Sequence, residues 1–126
     1  MSLDQLPADY TGPLALVVST DGIARAVRMP DDSPAAPVKW LQDLIGGHFE
    51  GIGGTSGGEP WIAYLAEDGE HLALNVRATA LARHLGWLGH PADYLLGTVV
   101  FLGRRGTEET DVPERVLALA GTAGVQ

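Results

Sequence analysis

Asn75, Arg77 and Thr79 stand where a short apolar run, Leu72–Leu74, gives way to a helix-like stretch, Ala78–Leu85. Junctions at strand ends hold side chains on a rigid frame, so this is a natural place for binding chemistry. An arginine beside a helix start suits a carboxylate or a phosphate. The guanidinium offers a planar fork of donors, and the first helical amides are unsatisfied. Glu50 and the glycines of Gly46–Gly58 complete a small-ligand or anion site centred on Arg77, and Asp93 is a further candidate. The same residues have a structural use. Asn and Thr side chains commonly bond nearby main chain at such junctions, and Arg77 can pair with Asp93 or Glu70.

Other chemistries find less in the chain. His48, His71, His84 and His90 lack the spacing of a zinc site, although His84 and His90 meet Asp93 if the intervening loop folds back. Glu67, Asp68 and Glu70 are too short a run for a calcium loop and read as a solvated turn. The glycine-rich segment lacks the Lys-Ser/Thr ending of a phosphate-binding loop. Ser19, Thr55 and Ser56 have no G-x-S-x-G setting to activate a hydroxyl. No Cys is present, which removes thiolate catalysis, disulfides and Cys-ligated metals. No metal, cofactor or catalytic residue is therefore expected.

Charge bears on partners. Sixteen acidic residues against eight basic give a net charge of -8. Nucleic acid is bound largely by Lys and Arg, so an acidic chain repels it unless its cations cluster. Arg25, Arg28, Arg104 and Arg105 are the residues that could cluster, with Trp61 or Tyr64 as a stacking surface. The excess acid serves solubility, or it presents an acidic face to a protein partner or to self-association. No apolar run is long enough for a membrane span, and Met1–Tyr10 lacks the basic-then-apolar pattern of a secretory leader. The expected location is cytoplasmic.

The elements that must position these residues follow from the apolar pattern. Leu14–Ser19 and Ile23–Met29 flank Asp21-Gly22 as a hairpin. Val38–Ile45 has helical spacing, with Pro37 in the first turn and Gly46-Gly47 as the stop. His48–Ile52 reads as a short strand, and the glycines from Gly51 to Gly58 as a turn or loop. Trp61–Leu65 and Leu72–Leu74 form a second hairpin across Glu67–Glu70. Val99–Leu102 is the best-buried strand, and Arg104–Thr110 is a charged linker. Asp111 caps a last helix, 112–120, with Pro113 in its first turn and Glu114 at capping-box spacing. The expected organisation is a lead-in over 1–12, one domain over 13–120 and a tail over 121–126. Its class is α+β, a mostly antiparallel or mixed sheet of roughly four to six strands packed with two to three helices. The two inner helices are expected to cover one apolar face.

Three stretches, LQDLIGGHFE at Leu41–Glu50, YLAEDGEHLALNVRAT at Tyr64–Thr79 and DYLLGTVVFLG at Asp93–Gly103, resemble landmarks of an uncharacterised family. That family is catalogued as domain of unknown function 3846 and is found in phages, plasmids and prokaryotic genomes. The landmarks are a helix ending in a Gly-Gly-x-x-Glu turn, a hairpin followed by an Asn-x-x-Ala box, and a closing Gly-x-x-x-x-x-Gly strand. The resemblance covers about 14–103, with Ala66 where the family usually has Asn or Asp. It implies no activity, but it points to Glu50, Asn75 and Arg77 and to a mobile-element setting. The function expected from all of this is a non-catalytic acidic binding or regulatory protein acting through protein–protein contacts. A ligand or anion site at Arg77 and a nucleic-acid accessory role are the alternatives.

Overall fold

The structure, a computed structural model, describes residues 10–87 and 93–121. The lead-in over 1–9, the loop at His90-Pro91-Ala92 and the tail over 122–126 lie outside the described residues. Nine elements follow in chain order: β1 (Leu14–Val18), β2 (Ala24–Arg28), α1 (Ala36–Ile45), β3 (Phe49–Ser56) and β4 (Glu59–Ala66), then α2 (Val76–His84), β5 (Val99–Arg105), β6 (Glu108–Thr110) and α3 (Glu114–Leu119). The fold is a small α+β domain with one antiparallel sheet of order β2-β1-β5-β4-β3, and β6 pairs with the far half of β5.

The sheet is two hairpins joined by a later strand. β1 and β2 pair around the Thr20–Gly22 turn. Asp21 fixes that turn by accepting from Ser19 Oγ and from the Ile23 amide (3.1 Å). Those two bonds hold the Asp21 carboxyl below its ordinary range, the Ser19 hydroxyl having the larger effect. β3 and β4 pair around Gly57-Gly58, both at positive φ, as a two-residue mirror-image turn requires. β5 then lies between β1 and β4. Its Val99, Val100, Phe101 and Leu102 are fully buried.

A strand apolar at consecutive positions must be covered on both faces, and this dictates the layers. Leu16, Val18, Trp61, Ala63, Val99 and Phe101 point to one face, where they pack with α2 and α3 through Ala78, Leu81, Ala82, Val116 and Leu117. Ala15, Val17, Ile62, Val100 and Leu102 point to the other, beneath Trp40, Leu41 and Ile45 of α1. The two inner helices therefore do not share a face as expected. Continuous burial of β1 and β5 places them on opposite sides.

Other expectations change for local reasons. The strand read over His48–Ile52 runs on as β3 through Gly53 and Gly54, expected in a loop, with side chains of β4 lying over Gly51 and Gly54 and the β4 main chain close to Gly53. A Cβ on Gly54 would meet the Trp61 indole, and one on Gly51 would meet Ile62 and Tyr64. The partner of β4 is consequently β3. Among the described residues, Leu72–Leu74 forms a single bridge, Leu74 to Leu96. Arg104–Thr110 is a tight β5–β6 hairpin turning at Gly106 (φ 64°). Asp111 does not cap α3, which begins after Pro113 without a side-chain cap. Its Oδ1 instead accepts from the Leu14 amide (2.9 Å) and from Arg28 (3.1 Å), fastening the start of β1 to the end of β6. Val38–Ile45 is helical as read, within the longer α1. Pro37 lies in its first turn and Gly46 (φ 97°) closes it.

Candidate functional site

Asn75 and Thr79 are buried at the top of the central strands. Asn75 Nδ2 donates to Val18 O (2.9 Å) and Gly97 O (2.8 Å), while Oδ1 accepts from the Ala78 amide (3.0 Å) and so caps α2. Thr79 Oγ1 donates to Asn75 O (2.8 Å) and accepts from the Leu95 amide (2.9 Å). These bonds tie together the end of β1, the start of α2 and the segment entering β5. A buried polar cluster is stable only when its groups are satisfied, and this one turns its polar atoms inward to main chain.

Arg77 is part-buried above the cluster. Its Nη1 donates to Gly22 O (2.6 Å) in the β1–β2 turn, and Nη2 donates to Ala120 O at the end of α3. The fork that was expected to pair with Asp93 or Glu70, or to receive an anion, clamps two carbonyls instead. Arginine suits this because its planar donors reach two acceptors at a fixed angle.

Glu50 and Asp93 stand apart from that group. Glu50 is exposed on β3 opposite Leu65. Arg77 holds the turn between β1 and β2, at the other side of the sheet. Three to four strand spacings of about 4.8 Å separate the two, roughly 14–19 Å. The 46–58 segment lies on the Glu50 side, so Arg77, Glu50 and the glycines do not converge on one pocket. Asp93 is exposed, and its carbonyl accepts from Arg83, whose guanidinium lies over the Tyr94 ring at 5.1 Å. Among the described residues, no three of His, Asp or Glu approach closely enough to hold a metal ion.

The arginines divide likewise. Arg28 and Arg105 line an open groove of about 610 Å³ at the lower end of the sheet, together with Thr11, Asp31, Thr110 and Asp111. Arg28 is fixed there by Asp111 and by Gly12 O (3.3 Å), while the Arg105 guanidinium has no hydrogen-bond or ion-pair partner among the described residues. Arg104 turns back onto Gly106 O (2.7 Å), and Arg25 lies higher on β2, opposite Val17. The groove is electrically mixed, since Asp31 and Asp111 face the two guanidinia. Trp61 is buried, so it is no stacking surface. Tyr64 donates to Glu109 (2.7 Å), and burial, reinforced by Glu109, pushes its hydroxyl up to about 12.

A surface that the sequence reading passed over is the free edge of β3. In a hairpin closed by Gly57-Gly58, Ser56 and Glu59 form a hydrogen-bonded pair, as do alternate pairs above it. The bond from the Glu67 amide to His48 O (3.0 Å) continues the same series. Ile52 and Gly54 thus face β4 with their main-chain groups. Phe49, Gly51, Gly53 and Thr55 turn theirs outward, and none of these four has a turn, loop or side-chain hydrogen bond among the described residues. Gly51, Gly53 and Thr55 are exposed. The signal was present in the sequence: FEGIGGTS and EPWIAYLA flank Gly-Gly, a two-residue hairpin pattern.

Comparison of the chain with protein-family models, with curated proteins and with solved structures gives no match. No helix among the described residues is long and apolar enough to cross a membrane.

Proposed function

We propose that this chain is a non-catalytic binding or regulatory protein that works through protein–protein contact, with the free edge of β3 as its contact surface. The observation that supports this reading is an eight-residue strand paired, among the described residues, on one side only. Its outward main-chain groups are flanked by glycines rather than by shielding side chains. Proteins usually blunt such an edge with Lys, Pro, a bulge or a covering loop. An edge left open accepts an added strand through main-chain hydrogen bonds. Likeness to the uncharacterised family, and the mobile-element setting it implies, belong to the same proposal.

The test is Thr55→Pro, which removes one outward amide at an edge position where proline is tolerated. Proteins captured from source cells by the wild-type chain should be lost with the variant, while the melting temperature stays close to wild type. Equal capture by both chains would overturn the reading.

A second reading has its own observation, the Arg28–Arg105 groove, where a pre-oriented guanidinium and one unpartnered among the described residues share one opening. An anionic ligand, including a nucleic-acid phosphate, fits that pair, although the two lining carboxylates oppose it. Gel-shift measurements at low salt with the wild-type chain and Arg105→Gln decide it.

A further inference from the structure

We infer that the segment added to β3 is an extended cationic peptide, with a Lys or Arg opposite Glu50 and an apolar residue opposite Ile52. This inference rests on β3 being the contact surface and adds the chemistry of what occupies it.

Glu50 and Ile52 lie on the same face of β3, pointing to the side of the sheet that carries α2 and α3. A strand added to the edge places residues two apart opposite them, and opposite charges or paired apolar groups across strands stabilise such a pair. The Glu50 end of the edge is acidic beyond Glu50 itself. Glu67, Asp68 and Glu70 follow β4 directly and are exposed, and the Glu67 amide is bonded to His48 beside the start of β3. At the other end, Arg115 is bonded to Ser56 (2.7 Å) and supplies a cation. The preference for a cation therefore belongs to the Glu50 end. A second copy of the chain is the poorer occupant. It would bring another net charge of -8 and the same carboxylates to a shared edge.

The experiment uses labelled eight-residue peptides, the length of β3, in which valine alternates with lysine, threonine or glutamate. Binding is read by fluorescence anisotropy at low salt. The lysine peptide should bind the wild-type chain most tightly and the glutamate peptide should not bind. Glu50→Gln should weaken the lysine peptide about fivefold, the size of one cross-strand charge pair. Thr55→Pro should abolish binding, and so should N-methylation of alternate residues of the peptide, which needs no folded variant. If the threonine peptide binds as tightly as the lysine peptide and N-methylation abolishes both, the edge stands and the cationic occupant falls. If the lysine peptide binds Thr55→Pro undiminished, or binds equally well when N-methylated, the attraction is diffuse charge and both fall. Absence of peptide binding, with a wild-type dimer that Thr55→Pro dissolves, would replace the peptide with a second copy.

Discussion

Asn75 connects three parts of the chain with one side chain, and its value lies in what its loss would leave behind. Asn75→Ala strips the carbonyls of Val18 and Gly97 and the amide of Ala78 of their partners in a place that water does not reach. Unsatisfied buried groups cost about 1–3 kcal/mol, so the variant should lose about 3 kcal/mol. A lower denaturant midpoint at unchanged slope would check this. Tyr64 gives a pH dependence of known sign. Its folded pKa is raised to about 12 from an ordinary 10.0, by burial first and then by Glu109. Its contribution to stability is thus full below pH 10 and falls away between pH 10 and 12, as the unfolded chain ionises first. Tyr64→Phe should flatten that decline in melting temperatures measured across the range. The sequence identified the Asn75–Thr79 junction as a cluster and offered main-chain bonding as one of its uses. It could not supply the partners, because Val18, Gly22 and Ala120 reach the cluster only through the fold. The same limit explains Asp111, whose local spacing suggests a helix cap while the start of β1 claims its carboxylate.

Elements were legible where their signal is local. The β1–β2 hairpin, α1 with its proline start and glycine stop, and the burial of β5 all follow from periodicity and turn chemistry within a short window. β3 was legible only at its start, over 48–52; the rest was not, because glycine has poor strand propensity, and the pairing with β4 that holds Gly53 and Gly54 in the strand is not a local signal. The β5–β6 hairpin was missed for a related reason. Charged residues such as Arg104, Arg105 and Glu108 suggest a linker, yet their pairing is set by Gly103. A Cβ there would come within 2.3 Å of Asp111 O and 2.5 Å of Thr110 Oγ1. Gly103→Ala should therefore push β6 off its partner and release Asp111 from Leu14, at a cost of about 2 kcal/mol. Gly54→Ala meets only ordinary contacts with Trp61 and should stay within about 0.5 kcal/mol of wild type. Thermal melts of the two variants side by side test whether close main-chain approach, rather than glycine content, is what matters.

For the whole molecule, class and single-sheet architecture could be read from hairpins alternating with short helices. The layering could not be read in the same way, although its cause was in plain sight. A run such as Val99–Leu102 buries about 2 kcal/mol per side chain, and it does so on two faces because alternate residues point in opposite directions. One helix layer covers only half of that. Chain order adds a consequence of its own. The strand that bridges the two hairpins is made after both of them, so its ladders with β1 and β4 close over very different spans of chain. Leu16 meets Phe101 across most of the molecule, whereas Tyr64 meets Val100 across far less. Long-span pairings are slow to form. During synthesis the N-terminal ribbon therefore waits, with its greasy sides unsheltered, for a keystone that leaves the ribosome late. For a polypeptide with this wiring, the interval before the keystone arrives is when aggregation or a chaperone has its opening.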